Sequence, residues 1–231
     1  DTSRETHVQS TTPSAAGSPE ATPYRKGSQS ATIPAGKPGS AVFKSIDESK
    51  AGITRFGDGS YEVDFQDSWQ TEIAAYQIDL LLGLGMVPAT IERRVNGNVG
   101  SLQWFVQSMM TEAARVKDKV QVPDIEAWNR IMFKVRVFDQ LIANVDRHMN
   151  NLLVTKEFEI RLIDHSRSFR PTRELKDPAV LMRFSRSLVD GLARLDAKVV
   201  RQKAGRYLTG GQIQRLFERR DDILALVKQR I

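Results

Sequence analysis

Asp146, Asn151 and Asp164 are the residues whose types and spacing best suit chemistry. Two carboxylates and a carboxamide oxygen are hard donors of the kind Mg²⁺ takes, and Mn²⁺ would be accepted by the same set. An Asp just ahead of a metal-binding Asn is also how phosphoryl transfer orients a hydroxyl nucleophile. Asp146 would accept or orient the hydroxyl proton, Asn151 would offer its amide oxygen to the metal, and Asp164 would chelate the metal that bridges the phosphates. A single Asp or Asn in a loop is more often only a cap or turn residue. The joint pattern between Val137 and Phe169 is what separates this stretch. It holds the end of an apolar helix, the polar loop Asp146-Arg-His-Met-Asn-Asn151, a tight two-strand hairpin and then Asp164. His148 shares the loop. It is a base candidate, since an unperturbed imidazole titrates near neutral pH, or a ring that holds the loop backbone by a hydrogen bond. The structural role is favoured, and His148 is carried beside Asp146 as the second catalytic candidate. His165 is a weaker candidate for a switch.

These residues need elements to position them. A helix opened by Pro123 and Asp124 buries Ile125, Trp128, Ile131, Val135, Phe138 and Ile142 and delivers the chain to Asn144-Val-Asp146. Leu152–Val154 and Phe158–Ile163 form the hairpin. Upstream, Ala41–Ile46 reads as a strand, residues 47–66 as a long loop, and Asp67 or Ser68 as a helix N-cap. Trp69, Ile73, Tyr76, Leu80 and Leu84 recur at helical spacing before the stop signals Gly83 and Gly85. Strand alternation in Val87–Val95 meets Asn96-Gly97, a strong hairpin signal, and returns through Leu102, Trp104 and Val106. Thr111–Val120 reads as a polar connection. From Ala179 the pattern is helical, with a capping box at Thr209-Gly-Gly-Gln212 and a buried face of Ile213, Leu216, Phe217, Leu224 and Val227. Residues 1–40 are rich in Ser, Thr, Pro, Ala and Gly. They form weak strands around a phosphate-covering loop or a poorly ordered segment, with the strands preferred.

Lys44 sits mid-strand among apolar neighbours, where it is either a solubilising charge or the amine that meets phosphate oxygens. Glu72, in the first turn of the next helix, would pair with it, or simply favour the helix dipole. Other chemistries are excluded or less well matched. The chain has no cysteine, so thiolate metal sites, disulfides and cysteine nucleophiles are out. It carries no Gly-x-Ser-x-Gly elbow, no His-Glu-x-x-His and no Walker loop. Two-carboxylate glycosidase chemistry fits the Asn and the basic surplus less well. The formal net charge of +6 suits an anionic cofactor without pointing to nucleic acid, for which no signature is present. No apolar run approaches a membrane span. The first residue is Asp1, so the N-terminus reads as truncated or processed, and a soluble protein of the cytoplasm or an exported one both fit.

Asp146-Arg-His-x-x-Asn151 with Leu162-Ile-Asp164 resembles the motif pair of the phosphatidylinositol 3- and 4-kinase superfamily. Leu141–His148 also resembles the secretory-pathway kinases related to Golgi casein kinase and, more distantly, the HipA-type kinases. Ala41-Val-Phe-Lys44 is similar to their nucleotide-lysine strand, Glu72–Tyr76 to the Glu-bearing helix, and Gly100–Met110 to the strand entering the hinge. The resemblance implies that Asp146 is the catalytic aspartate, that Asn151 and Asp164 bind metal, and that Lys44 contacts ATP phosphate with Glu72 as its partner. It also implies that backbone groups around Gln107–Met109, at Gln107 and Met109, hold adenine. His165-Ser166 stands where those relatives carry Phe-Gly, and no glycine-rich loop matches theirs; Gly17 and Gly27 are the nearest candidates.

The expectation is therefore an α+β, two-lobed protein-kinase-like fold. A small antiparallel-sheet lobe with one helix spans 41–110. A mainly helical lobe spans 111–231, with the catalytic loop at 144–151 and the metal hairpin at 152–169. The expected function is ATP- and Mg²⁺-dependent phosphoryl transfer to a hydroxyl of a protein, lipid head group or small molecule. The alternatives are a non-catalytic nucleotide-binding or interaction module, and transfer of AMP. Arg167, Arg170, Arg173 and Lys176 would favour an acidic acceptor, although a solvated basic segment is the plainer reading of that cluster.

Overall fold

The computed structural model describes residues 29–33, 39–55 and 61–230. Gly17, Gly27 and most of the phosphate-loop expectation lie outside them. The chain divides into two compact units. One holds the described residues up to Trp69 together with Ala89–Phe105, and the other holds Gln70–Pro88 and Val106 onward.

In the first unit, strands β1 (Gln29–Ile33), β2 (Gly39–Lys44), β5 (Thr90–Val95) and β6 (Asn98–Trp104) form an antiparallel sheet in the order β1-β2-β6-β5. The β5–β6 turn is Asn96-Gly97, both at positive φ (49° and 84°), the backbone a tight hairpin requires. β2 and β6 approach so closely that a Cβ on Gly100 would lie 2.1 Å from the Lys44 carbonyl oxygen, so only glycine fits there. Ala41, Phe43 and Leu102 make a small core with Val95 against it. Trp104 is 49% exposed, so the alternation read through Leu102, Trp104 and Val106 does not mark a buried face. A second sheet pairs β3 (Asp47–Arg55) with β4 (Tyr61–Ser68). Residues 47–66, expected to be a loop, are thus mostly a hairpin. Tyr61, Val63 and Phe65 do alternate, but the charges and Gly52, which sits at φ 79° where the register shifts, hide the strand pattern.

Helix α1 (Trp69–Leu82), in the second unit from Gln70 onward, buries Ile73, Ala74, Ala75, Ile78 and Leu82, with Thr71, Glu72 and Asp79 also buried. The expected stripe through Leu80 is displaced, and Leu80 is 52% exposed. Small and polar residues take the inward face because the partners there offer hydrogen bonds. The expected polar connection after Met110 holds a two-residue strand β7 (Met110–Thr111) and a short helix α2 (Glu112–Lys117). Thr111 caps α2 by accepting from the Ala114 N–H, and the Arg115–Glu112 pair at 2.6 Å braces it. Helix α3 (Ile125–Leu141) starts at Asp124, whose side chain accepts from Glu126 and Ala127. Trp128, Val135, Phe138 and Leu141 enter the core, whereas Ile125 is 60% exposed. Strands β8 (Leu152–Val154) and β9 (Ile160–Leu162) complete a three-stranded antiparallel sheet in the order β7-β8-β9.

Helices α4 (Arg186–Arg194), α5 (Ala197–Ala204) and α6 (Gly210–Arg230) follow. The capping box forms as its spacing predicts: Gln212 N–H donates to Thr209 Oγ1 at 3.2 Å and Thr209 N–H donates to Gln212 Oε1 at 2.9 Å. In α6 the buried positions are Ile213, Leu216, Arg219, Ile223 and Val227; Phe217 and Leu224 are only partly covered. Arg219 is fully buried because Leu141, Arg170 and Thr172 surround it with carbonyl oxygens, which accept from its guanidinium. Burial pulls its pKa down to about 10. Among the described residues no helix is long and apolar enough to cross a membrane.

Candidate active site

Helix α3 ends two residues before a strained position. Ala143 adopts φ 47°, its N–H donates to Gln140, and the Asn144 N–H donates to Asp139 at 2.9 Å. This is the helix-ending geometry that glycine usually occupies. It turns the chain out of the core and points it into the loop that carries Asp146. The Asp146 N–H donates to Asn144 Oδ1 at 3.1 Å. Its carboxylate is partly exposed and lies 3.5 Å from Arg167 Nη1. A carboxylate that is partly exposed in this way is within reach of an incoming hydroxyl.

Asn151 ends a short 3-10 turn, Met149–Asn151, and is buried. Its Nδ2 faces two acceptors, the Asp146 carbonyl at 3.4 Å and Asp164 Oδ2 at 3.5 Å. That fixes the amide orientation, since neither acceptor can donate. Among the described residues Oδ1 accepts no hydrogen bond. The β8–β9 hairpin brings Asp164 back beside it in the left-handed region, φ 60°. There Ser166 Oγ donates to Asp164 Oδ1 at 3.3 Å. The three residues singled out by spacing therefore come together. An open carboxamide oxygen next to a buried carboxylate fits a hard divalent cation. No group of three or more His or acidic side chains among the described residues is arranged to hold a metal alone. A cation here would complete its shell with phosphate and water, as Mg²⁺ commonly does.

His148 is exposed, and among the described residues its ring makes no hydrogen bond, so the expectation that it holds the loop is not met there. Arg147 does that instead. Its Nε and Nη2 donate to the Asp139 carboxylate at 3.0–3.2 Å, and its Nη1 donates to the carbonyls of Asn151 at 3.1 Å and Ile163 at 2.8 Å. One guanidinium thus fastens the loop to the end of α3 and to the last residue before Asp164. Its Nη2 also lies 2.9 Å from His165 Nε2. His165 is fully buried, and its Nδ1 is 3.6 Å from Glu72 Oε2. Burial pulls the His165 pKa below its ordinary value; Glu72 opposes that and Arg147 adds to it. Sequence reasoning missed Arg147, Asp139 and Thr71. The signal for Asp139 was present: an acidic residue between Phe138 and Leu141 on an apolar helix end needs a buried partner.

Lys44 is buried, as are Ala41, Val42 and Phe43 before it, so the solubilising-charge reading does not hold. Glu72 is only 1% exposed, a deeper burial than a helix-dipole role requires. The Met109 N–H is already donated to the Val154 carbonyl at 2.8 Å and is not free for adenine. Gln107 is exposed and makes no hydrogen bond among the described residues. The basic cluster is solvated only in part: Arg170 is 5% exposed and Arg167 faces Asp146, whereas Arg173 and Lys176 are exposed. Arg173 lies 3.7 Å from Asp222, and Lys176 donates to the Val145 carbonyl.

No protein-family model matches this chain, and no curated protein matches it. Solved structures do. The crystal structure of the Golgi casein kinase aligns with a TM-score of 0.55 at 15% identity, over 83% of this chain and 67% of that one. The Golgi casein kinase with Mn/ADP bound aligns at 0.52 and 15%, over 81% and 66%. The Helicobacter pylori proinflammatory kinase CtkA aligns at 0.47 and 12%, over 83% and 89%. The chain spans about two thirds of the length of the two Golgi casein kinase structures. The likeness is one of fold: this is an α+β chain that shares the fold of the Golgi casein kinase structures.

Proposed function

We propose that this chain is a phosphotransferase that moves the γ-phosphoryl group of ATP to a hydroxyl acceptor. The observation that carries the reading is the meeting of Asn151 and Asp164 with the Asn151 carboxamide oxygen left open, beside a partly exposed Asp146. The Golgi casein kinase, which has this fold, has been solved with Mn/ADP, and this supports a divalent cation and an adenine nucleotide here. Asn151 and Asp164 would hold the cation. When bound, it would neutralise the charge that develops on the transferring group.

The protein's own residues do the rest by positioning and charge. Asp146 accepts the hydroxyl proton or orients it for attack. Arg167 lies 3.5 Å from Asp146 and leaves part of its carboxylate exposed. Arg147 fixes the backbone on both sides of the metal pair, so neither residue must be ordered at the moment of reaction. Lys44 is assigned to ATP phosphate with Glu72 as its partner, and the Gln107 backbone to adenine, on the motif resemblance. His148, exposed in the loop, is kept as a second proton-handling group. The acceptor class stays open among protein, lipid and small molecule. Asp146 beside Arg167 favours an acceptor carrying negative charge near its hydroxyl.

The test is ATP consumption with Mg²⁺ across acceptor classes for the wild type and Asp146→Ala, with products identified by mass. Phosphorylated acceptor from the wild type, reduced at least 100-fold in the variant, is the expected result. Nucleotide binding without turnover would make the chain a binding module, and an acceptor gaining the mass of AMP would make it a nucleotidyl transferase.

A further inference from the structure

Thr71, Glu72, Asp139, Arg147 and His165 are buried or nearly so, and none belongs to the three residues that would touch metal or acceptor. They form one connected chain. Asp139 holds Arg147 through both carboxylate oxygens, Arg147 Nη2 reaches His165 Nε2, and His165 Nδ1 faces Glu72. A guanidinium has donors only, so His165 Nε2 must be the acceptor of that contact. The ring proton then sits on Nδ1 and points at the Glu72 carboxylate. At 3.6 Å this second contact is electrostatic rather than a formed hydrogen bond. The Phe138 ring packs edge-on against the imidazole, with centroids 6.1 Å apart and planes at 83°, and fixes its tilt. Beside it the Thr71 hydroxyl reaches the carbonyls of both His165 and Ser166, at 2.9 and 3.0 Å. The first turn of α1 is therefore tied to the residues directly after Asp164 by a side chain and a backbone contact.

We infer that His165 is a positioning residue: a neutral imidazole, oriented by Arg147, that sets the Glu72 carboxylate and so couples the first turn of α1 to the hairpin carrying Asp164. The inference rests on the phosphotransferase reading only where it gives Glu72 and Asp164 their roles toward nucleotide and metal. A phenylalanine at this place would fill the space and touch neither Arg147 nor Glu72. Histidine makes the metal hairpin and the glutamate helix answer to one ring.

Three variants separate this role from simple packing. His165→Asn keeps an N–H near Nδ1, on the Glu72 side, and gives up Arg147. His165→Gln keeps an acceptor near Nε2, for Arg147, and gives up Glu72. His165→Phe keeps the ring and gives up both. Two readouts are used: Mn²⁺–ADP affinity by calorimetry, and amide hydrogen exchange at Ile73–Tyr76. His165→Asn should bind within threefold of the wild type with near-wild-type exchange. His165→Gln and His165→Phe should bind at least tenfold more weakly, with exchange in that turn at least tenfold faster. Adding Glu72→Gln to His165→Phe should weaken binding by less than the product of the two single effects, because both substitutions act on the His165–Glu72 contact. If all three variants match the wild type, or if His165→Asn falls as far as His165→Phe, the inference is wrong. If the wild type binds neither Mn²⁺–ADP nor Mg²⁺–ATP, the phosphotransferase reading fails. The exchange pattern then decides the coupling by itself: His165→Gln and His165→Phe faster than His165→Asn supports it, and equal rates overturn it.

Discussion

Replacing Arg147 with methionine tests the electrostatic centre of the site. The substitution keeps most of the side-chain volume and removes the charge. The Asp139–Arg147 pair has side chains only 10% and 11% exposed, so water cannot take over for the lost guanidinium. Asp139 would keep the Asn144 amide, which donates to it at 3.1 Å, and no cation. Breaking a buried pair from one side costs about 3–5 kcal/mol, mostly as the penalty of the stranded charge. Small domains are stable by about 5–15 kcal/mol, so the urea midpoint should fall by roughly 2 M for a slope of about 2 kcal/mol/M. Adding Asp139→Asn removes the stranded charge, and the double variant should recover at least half of the loss. The Asn151 and Ile163 carbonyls lose their common donor in both variants, so Mn²⁺–ADP affinity should stay at least tenfold weaker even where stability returns. Equilibrium urea unfolding and calorimetric titration on the same preparations read the two effects apart. The reasoning is refuted if Arg147→Met unfolds within about 1 kcal/mol of the wild type, or if the double variant is no more stable than the single one.

Further expectations follow from particular positions. Asp79 is fully buried and caps the Met86 N–H at 3.0 Å; burial raises its pKa from 3.8 to about 6, against the backbone donors around it. A folded value above the unfolded one means a stabilising contribution that is full below pH 3.8 and lost as pH rises through 6. Asp79→Asn does not titrate, so its stability relative to the wild type should climb by about 2.5 kcal/mol between pH 4 and 7 in urea unfolding. Ala143→Gly relieves the φ 47° position at the end of α3 and should raise the melting temperature, for a gain of about 0.5–1 kcal/mol. Gly100→Ala forces its Cβ against the Lys44 carbonyl and should destabilise the β2–β6 pairing by more than about 1 kcal/mol, with faster amide exchange in both strands.

Much of this protein follows from local pattern. The α3 cap at Asp124, the Asn96-Gly97 turn, the β8–β9 hairpin and the Thr209 capping box are each written in a few neighbouring residues. Each forms because its physics is local: a short side chain meets nearby backbone donors, or a turn demands a particular φ. The same holds for Asp146, Asn151 and Asp164, which meet because one loop and one tight hairpin are enough to bring them together. Strands β3 and β4 were obscured because charges and glycines outweigh three alternating apolar residues, and the short α2 because its polar face looks like a loop. The inward face of α1 was misassigned because Thr71, Glu72 and Asp79 are drawn in by partners far along the chain, while the large Leu80 is left outside.

The spacing of Asp146, Asn151 and Asp164 by itself led to the chemistry proposed for them. Only the tertiary structure decided that Arg147 and not His148 holds the loop, and that His165 stands between that arginine and Glu72. The reason is physical. Composition and spacing report whether a side chain can make a contact, whereas burial among distant partners determines whether a polar group must make one, and with which atom.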